Sequence, residues 1–248
     1  MEYTSKSQIV RVKTESWVSR AGYCLACQSD RILPTAANTQ ARDFECAACG
    51  HPYELKSSSK PFGNRVVDGA FASMIGRVES RSVPSFLLLT YGQDFAVTDL
   101  LAIHHSLITR EVIQERRPLA QTARRAGWIG CNILIGDIPP EGRIPLIQGS
   151  VELPKEKSRE IFAATERLAS MPLASRGWAR ALLNCLHRLP RGGFTLEQAY
   201  SFESELHFQY PANRNVRPKI RQQLQVLRDA GLVIFERPGV YRMSFEAK

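Results

Sequence analysis

The stretch RDFECAACGHPYELKS, Arg42 to Ser57, brings an aspartate, a Cys-x-x-Cys pair and a Glu-x-Lys triplet into one short segment. Two kinds of chemistry are open to such residues. Carboxylates hold a hard cation such as magnesium, and a neighbouring lysine can position or help deprotonate a water. Together these are the parts that metal-assisted phosphodiester hydrolysis needs. Paired thiolates instead suit zinc.

Cys46-x2-Cys49 has a counterpart in Cys24-x2-Cys27, the two pairs separated by eighteen residues, which is zinc-ribbon spacing. Four thiolates close a tetrahedral zinc site and leave no open position, so the site reads as structural; the alternative is four reduced cysteines without a metal. Cys131 and Cys185 stand alone in apolar contexts and read as small core residues. His104 and His105 invite a histidine nuclease or a second metal, but no asparagine or acidic residue at a supporting spacing accompanies them. They are read as structural or exposed.

A hairpin is the element that must position the carboxylates. Asp43 lies three residues before the second knuckle and Glu54 five residues after it, so the knuckle can form the tip of two strands. Strand alternation in YELKS puts Tyr53 and Leu55 on one face and Glu54 and Lys56 on the other. Asp43, Glu54 and Lys56 as surface charges on an ordinary hairpin remain the competing reading.

The 248 residues suit two modest domains, and 44% hydrophobic with 23% charged residues excludes a wholly disordered chain. Residues 5 to 20 predict a helix with Ile9, Val12 and Trp17 on a shared face. VVDGAFASMIGRVES predicts a second helix and SFLLLTYG a buried strand. The order strand, strand, helix, strand belongs to an α/β or mixed-sheet domain. FAVTDLLAI, RAGWIGCNILI and RIPLIQG read as further strands and loops, and Pro154 to Ser170 as a closing helix. The boundary is placed near Met171 to Gly177, dividing the chain into 1–174 and 175–248.

In the second part, Trp178, Leu182, Cys185, Leu186 and Leu189 form one helical stripe. FTLEQAYSFESEL begins with Thr195 and Gln198 in capping-box positions and predicts a second helix. VRPKIRQQLQVLRDAG buries Val216, Ile220, Leu224 and Leu227 and stops at Gly231, a third helix. LVIFERPGVYRM follows as two strands around a Pro-Gly turn. Three helices and a hairpin make a winged helix, in which the third helix enters the DNA major groove.

Charge points to the same partner. Lys plus Arg exceeds Asp plus Glu by 33 to 24, and residues 175–248 carry twelve basic against six acidic side chains. A localized basic excess suggests a polyanion, nucleic acid ahead of an acidic membrane surface. No window is apolar enough to cross a bilayer, and the amino terminus lacks the pattern of a secretory signal. The expected setting is the cytoplasm, where thiols stay reduced, with no membrane partner and a monomer in solution.

The pattern D…ExK resembles the PD-(D/E)XK nuclease superfamily. The chain is similar to the DpnI-type methyl-directed restriction endonucleases through CLAC with CAAC, DFEC with ELKS, DGAFASM, PLAQTARRAGWIGCNI, SRGW, FTLE, FESEL and IRQQLQVLRD. These stretches run in matching order from about residue 15 to 242. The resemblance implies a mixed-sheet nuclease core with a zinc ribbon inserted at about residues 23–50, followed by a winged helix. It implies magnesium held by Asp43, Glu54 and the carbonyl of Leu55, with Lys56 serving the water. Arg42 stands where the superfamily's proline would be. The implied substrate is double-stranded DNA carrying N6-methyladenine in GATC.

An adenine methyl group adds a small apolar surface in the major groove, so an aromatic wall is a plausible sensor. Trp128 in RRAGWIG suits that role, with Arg124 and Arg125 for phosphates or guanine; a core tryptophan beside solvated arginines is the alternative. On helix three Arg217, Arg221, Gln222, Gln225 and Arg228 are candidate DNA contacts, preceded by Arg214 and Asn215. Arg237 and Arg242 in the wing read as phosphate contacts. Two other functions compete: a zinc-containing winged-helix regulator with an inactive nuclease core, and a repair or junction nuclease, which explains the winged helix less well.

Overall fold

A computed structural model of the chain describes residues 5–36 and 42–245. Helix α1 (Lys6–Ala21) leads to strands β1 (Leu33–Pro34), β2 (Phe44–Glu45), β3 (Pro52–Ser58) and β4 (Val66–Ala70), then helix α2 (Phe71–Glu79). Strands β5 (Ser85–Tyr91), β6 (Val97–Ile103), β7 (Ile113–Glu115), β8 (Gly130–Ile133), β9 (Arg143–Gln148) and β10 (Val151–Glu152) follow, closed by helix α3 (Lys155–Glu166). The central sheet has the order β1-β2-β3-β5-β6-β9-β10. Only β3 and β5 are parallel neighbours in it, so the sheet is mixed, as expected.

Strand β5 explains why its sequence is apolar without alternation. Phe86 and Leu88 enter one core while Leu87 and Leu89 enter the other, so both faces of the sheet are covered. One core gathers Val18 of α1, Tyr23, Phe44, Tyr53 and Phe162 of α3 around the first and third cysteines. The other lies under α2 and a small sheet of order β4-β8-β7.

Two expectations fail here. Val66–Ala70 is a strand rather than the start of a helix, with Val66 and Asp68 turned inward and Val67 turned out. Two β-branched valines and Gly69 disfavour helix, and pairing with β8 supplies the long-range partner that the local pattern could not reveal. In α1 the buried residues are Thr14 and Val18, whereas Val12 is exposed and Ile9 and Trp17 are half-buried. Thr14 tolerates burial because its hydroxyl donates back to the Val10 carbonyl at 2.9 Å.

The C-terminal part contains α4 (Leu173–Leu186), β11 (Phe194–Thr195), α5 (Leu196–Tyr200), α6 (Glu203–Gln209), α7 (Val216–Asp229), β12 (Val233–Arg237) and β13 (Val240–Met243). Trp178, Leu182, Cys185 and Leu186 are buried, with Leu189 packed against them. Thr195 and Gln198 form the reciprocal capping box. The single helix expected after it is two short helices, and Phe194–Thr195 joins a wing sheet of order β11-β13-β12. Val216, Ile220, Leu224 and Leu227 face inward along α7. Gly231 ends that region at φ +77°, where Arg167 Nη1 would lie 2.7 Å from an added Cβ.

The two parts share one apolar core rather than meeting at a wet interface. Polar contacts reinforce it: Arg180 Nη1 and Asn184 Nδ2 of α4 donate to the Asp137 carbonyl at 2.9 and 2.7 Å. His187 Nε2 lies 2.8 Å from the wholly buried Glu141 carboxylate.

Candidate active site

The cysteines converge as their spacing demands. All four Sγ atoms lie within 4.8 Å of one another, with Cys24–Cys49 and Cys27–Cys46 each at 3.6 Å. Zinc–sulfur bonds of about 2.3 Å in a tetrahedron put sulfurs about 3.8 Å apart, so the four positions fit zinc. Burial would raise the Cys46 thiol, but the backbone N–H groups of Cys49 and Ala48 overcome it and pull the group down to about 6. The thiolate that a metal needs is thereby favoured at Cys46, whereas burial raises Cys49 and Cys24. Gly50 closes the turn at φ +74°, and the Cys46 N–H donates to the His51 carbonyl at 3.0 Å. Cys131 and Cys185 are buried core residues, as expected, and burial lifts each to about 11.

The knuckle does cap a hairpin. Strands β2 and β3 are antiparallel, with Phe44 opposite Tyr53. Both of those rings enter a core, so alternation turns Asp43 and Glu54 to the other face. Asp43 Oδ2 accepts the Leu55 N–H at 2.8 Å, which fixes this carboxylate beside the Leu55 peptide. Glu54 and Lys56 do point together: Lys56 Nζ donates to Glu54 Oε1 at 2.6 Å. Arg42, in the proline position, is exposed and pairs with Glu45 at 2.6 Å.

A third carboxylate, which the sequence reading did not single out, completes the group. Lys56 Nζ also donates to Asp68 Oδ1 at 2.7 Å, and Arg77 of α2 reaches Glu54 Oε2 at 3.3 Å and Asp68 Oδ2 at 3.5 Å. Its signal lay in DGAFASM: read as a strand, VVDGA turns Asp68 inward. Arg42, His51, Glu54, Lys56, Asp68, Arg77 and His105 line a cavity of about 860 Å³. Burial raises Glu54 above the ordinary carboxylate range despite Lys56 and Arg77. Burial would also raise Asp68, but the Lys56 ammonium outweighs it and Asp68 is held low. Lys56, which burial alone would depress, is held above its ordinary value by Glu54 and Asp68.

The adjacent histidines are neither exposed nor without an acidic partner. His104 is fully buried, and Glu166 of α3 lies 3.2 Å from its Nε2 and 2.7 Å from His105 Nε2. The Ser106 N–H donates to His104 Nδ1 at 3.1 Å. That bond places the proton of neutral His104 on Nε2, facing Glu166, which is the wrong tautomer for a metal there. Burial keeps His104 neutral down to about 4. Burial and the His105 ring hold His51 neutral to about 3.

Residues 1–171 match the sequence model of the DpnI, or Dam-replacing, family, and residues 174–243 match that of the Dam-replacing HTH domain. The chain belongs to the DpnI family. This is a family of methyl-directed restriction enzymes, and the second match marks the C-terminal part as a helix-turn-helix domain that binds DNA.

The DpnI-family chain presents the predicted DNA-facing residues as two separate groups. Trp128 is half-buried in neither core; its ring lies over Gly130, whose added Cβ would meet it at 2.8 Å, and the Arg125 guanidinium stacks on it at 4.9 Å. Arg124 and Arg125 are exposed. On α7, Arg217, Arg221, Gln222, Gln225 and Arg228 are exposed opposite the apolar stripe, and Arg214 and Asn215 are exposed before it. Some cations are already engaged. Arg217 bonds Glu203 at 2.7 Å, Arg221 bonds the Tyr200 hydroxyl, and Arg228 pairs with Asp229 at 2.8 Å. In the wing Arg237 is exposed, while Arg242 pairs with Glu236 at 2.9 Å. Among the described residues no helix is long and apolar enough to cross a membrane.

Proposed function

We propose that the chain is a magnesium-dependent endonuclease that cuts both strands of DNA at GATC sites containing N6-methyladenine. The observation that carries this reading is one hairpin bearing Asp43 beside the Leu55 peptide and Glu54 hydrogen-bonded to Lys56, in a DpnI-family chain. The division into a nuclease domain, 1–174, and a DNA-binding domain, 175–248, belongs to the same proposal.

Asp43, Glu54 and the Leu55 carbonyl would hold magnesium; hard oxygen donors, of which Glu54 lines the cavity, suit that ion, whereas the four converging thiolates suit zinc. When bound, magnesium supplies charge stabilisation at the phosphoryl oxygens. Lys56 orients the attacking water and assists loss of its proton, and the structural thiolate site stiffens the turn that keeps Asp43 and Glu54 in register. Arg77 adds positive charge on the cavity wall for the phosphodiester. Trp128 serves as an apolar wall for the adenine methyl group, with Arg124 and Arg125 on phosphates or guanine. Arg214, Asn215, Arg217, Arg221, Gln222, Gln225 and Arg237 contact DNA from the winged helix, and the ion pair to Glu203 makes Arg217 a residue that must exchange partners.

Cleavage of an end-labelled methylated GATC duplex by wild type and Lys56→Ala tests this reading. Wild type cuts both strands with magnesium, and K56A binds the duplex with unchanged affinity but does not cut. A K56A protein that still cuts at the wild-type rate removes lysine from the chemistry. Binding by the wild type without cutting, at several divalent metals, supports the winged-helix regulator instead.

A further inference from the structure

We propose that Asp68 is a positioning residue for Lys56, the second carboxylate on which the ammonium rests when a divalent cation takes Glu54. The inference rests on the magnesium reading above and adds a residue that the Asp, Glu and Lys pattern does not contain.

Lys56 sits 2.6 Å from Glu54 Oε1, an oxygen on the side chain that a cation must occupy. A divalent cation held by Glu54 and an ammonium on the same carboxylate would repel, which favours a lysine that can rest elsewhere. Asp68 removes the conflict. Its Oδ1 is already 2.7 Å from Nζ, so the lysine can leave Glu54 without returning to bulk water or moving away from the cavity. Asp68 is suited to be a fixed anchor: its side chain is 2% exposed, and β4 holds its backbone opposite Cys131 of β8. Arg77 reaches the other oxygen of Asp68 at 3.5 Å. Lys56 and Arg77 offset the charges of Glu54 and Asp68, and Asp43, fixed beside the Leu55 peptide, adds a carboxylate outside these ion pairs. Arg77 and Lys56 both bridge Glu54 and Asp68, so neither carboxylate is left without a cation.

Asp68 acts on the metal through Lys56, and that separates it from a direct ligand. Calcium, which suits oxygen sites, is titrated calorimetrically into the full chain as wild type, Glu54→Gln, Asp68→Asn, Lys56→Met and the K56M/D68N double variant. In the wild type, calcium binds and E54Q abolishes the binding. D68N leaves Lys56 only a neutral acceptor at this position and shifts the ammonium toward Glu54, so affinity falls about tenfold, the size of the charge assistance lost from one hydrogen bond. K56M binds at least as tightly as wild type, and adding D68N to it costs clearly less than D68N costs in the wild-type background, because the competitor is gone. An equal loss from D68N in both backgrounds makes Asp68 a direct ligand and overturns the proposal, as does a D68N affinity equal to wild type. Wild-type binding that E54Q leaves intact, or no binding at all, overturns the magnesium reading and this inference with it. Asp68→Ser is carried in parallel, and thermal unfolding of each sample ensures that affinities are compared between folded proteins.

Discussion

Arg159→Leu tests how the four-cysteine cluster is held to α3. Arg159 of α3 is 9% exposed, and its guanidinium donates to the Cys24 carbonyl at 3.0 Å and the Ser29 carbonyl at 2.9 Å. It also reaches Gln28 Oε1 and Asp30 Oδ1, each at 3.2 Å. Leucine fills much of the space but leaves the Cys24 carbonyl without its donor, whereas the Ser29 carbonyl keeps the Cys24 N–H at 3.0 Å, so the loss is about 2 kcal/mol. The Asp30 contact adds little, because that carboxylate is 67% exposed. For a chain of this size about 2 kcal/mol corresponds to a fall in Tm of roughly 4–8 °C. Since the lost bonds lie at Cys24 and on residues 28–30 just after Cys27, release of zinc from the zinc-loaded protein to a chromogenic chelator should accelerate in parallel. Lys155→Met, which removes only an exposed contact to Asp30 at 3.0 Å, is the control and should shift Tm by less than about 2 °C. Equal melting and equal zinc release for R159L and K155M would refute the clamp.

Two further outcomes follow from the same contacts. Gly231→Ala forces φ +77° on a residue with a Cβ and displaces Arg167 Nη1, which donates to the Ala230 carbonyl at 2.8 Å; a loss of about 1–2 kcal/mol should lower Tm by several degrees, and an unchanged Tm would contradict the cap. His104 stays neutral down to about 4 when folded, while the unfolded chain binds that proton near the ordinary value of 6.5. Between those values the unfolded state holds more protons, so stability falls as pH drops through the window, by about 3 kcal/mol in total. His104→Asn keeps an acceptor for Ser106 and should flatten that slope in denaturant melts from pH 7 to 4; an unaltered slope assigns it to other groups.

What local pattern encodes was readable. The period of two in YELKS put Glu54 and Lys56 on one face, and the 2.6 Å bond between them follows directly. Cysteine spacing anticipated four converging sulfurs, and the apolar stripe and Gly231 anticipated the course of α7. What long-range pairing decides was not. Val66–Ala70 becomes a strand only because β8 lies beside it, and reading it as helix hid Asp68. Glu166 meets the two histidines from α3, far along the chain, so no spacing near His104 could reveal it. The ion pairs that occupy Arg217, Arg228 and Arg242 likewise depend on where neighbouring elements pack or on side-chain choices that composition does not fix.

The most direct measurement uses one plasmid prepared with and without adenine methylation at GATC, each incubated with the protein in magnesium or in chelator. Cutting of the methylated plasmid in magnesium alone is the predicted result. Cutting of the unmethylated plasmid at the same rate, or cutting undiminished by removal of divalent ions, would contradict a methyl-directed, metal-dependent site at Asp43, Glu54 and Lys56.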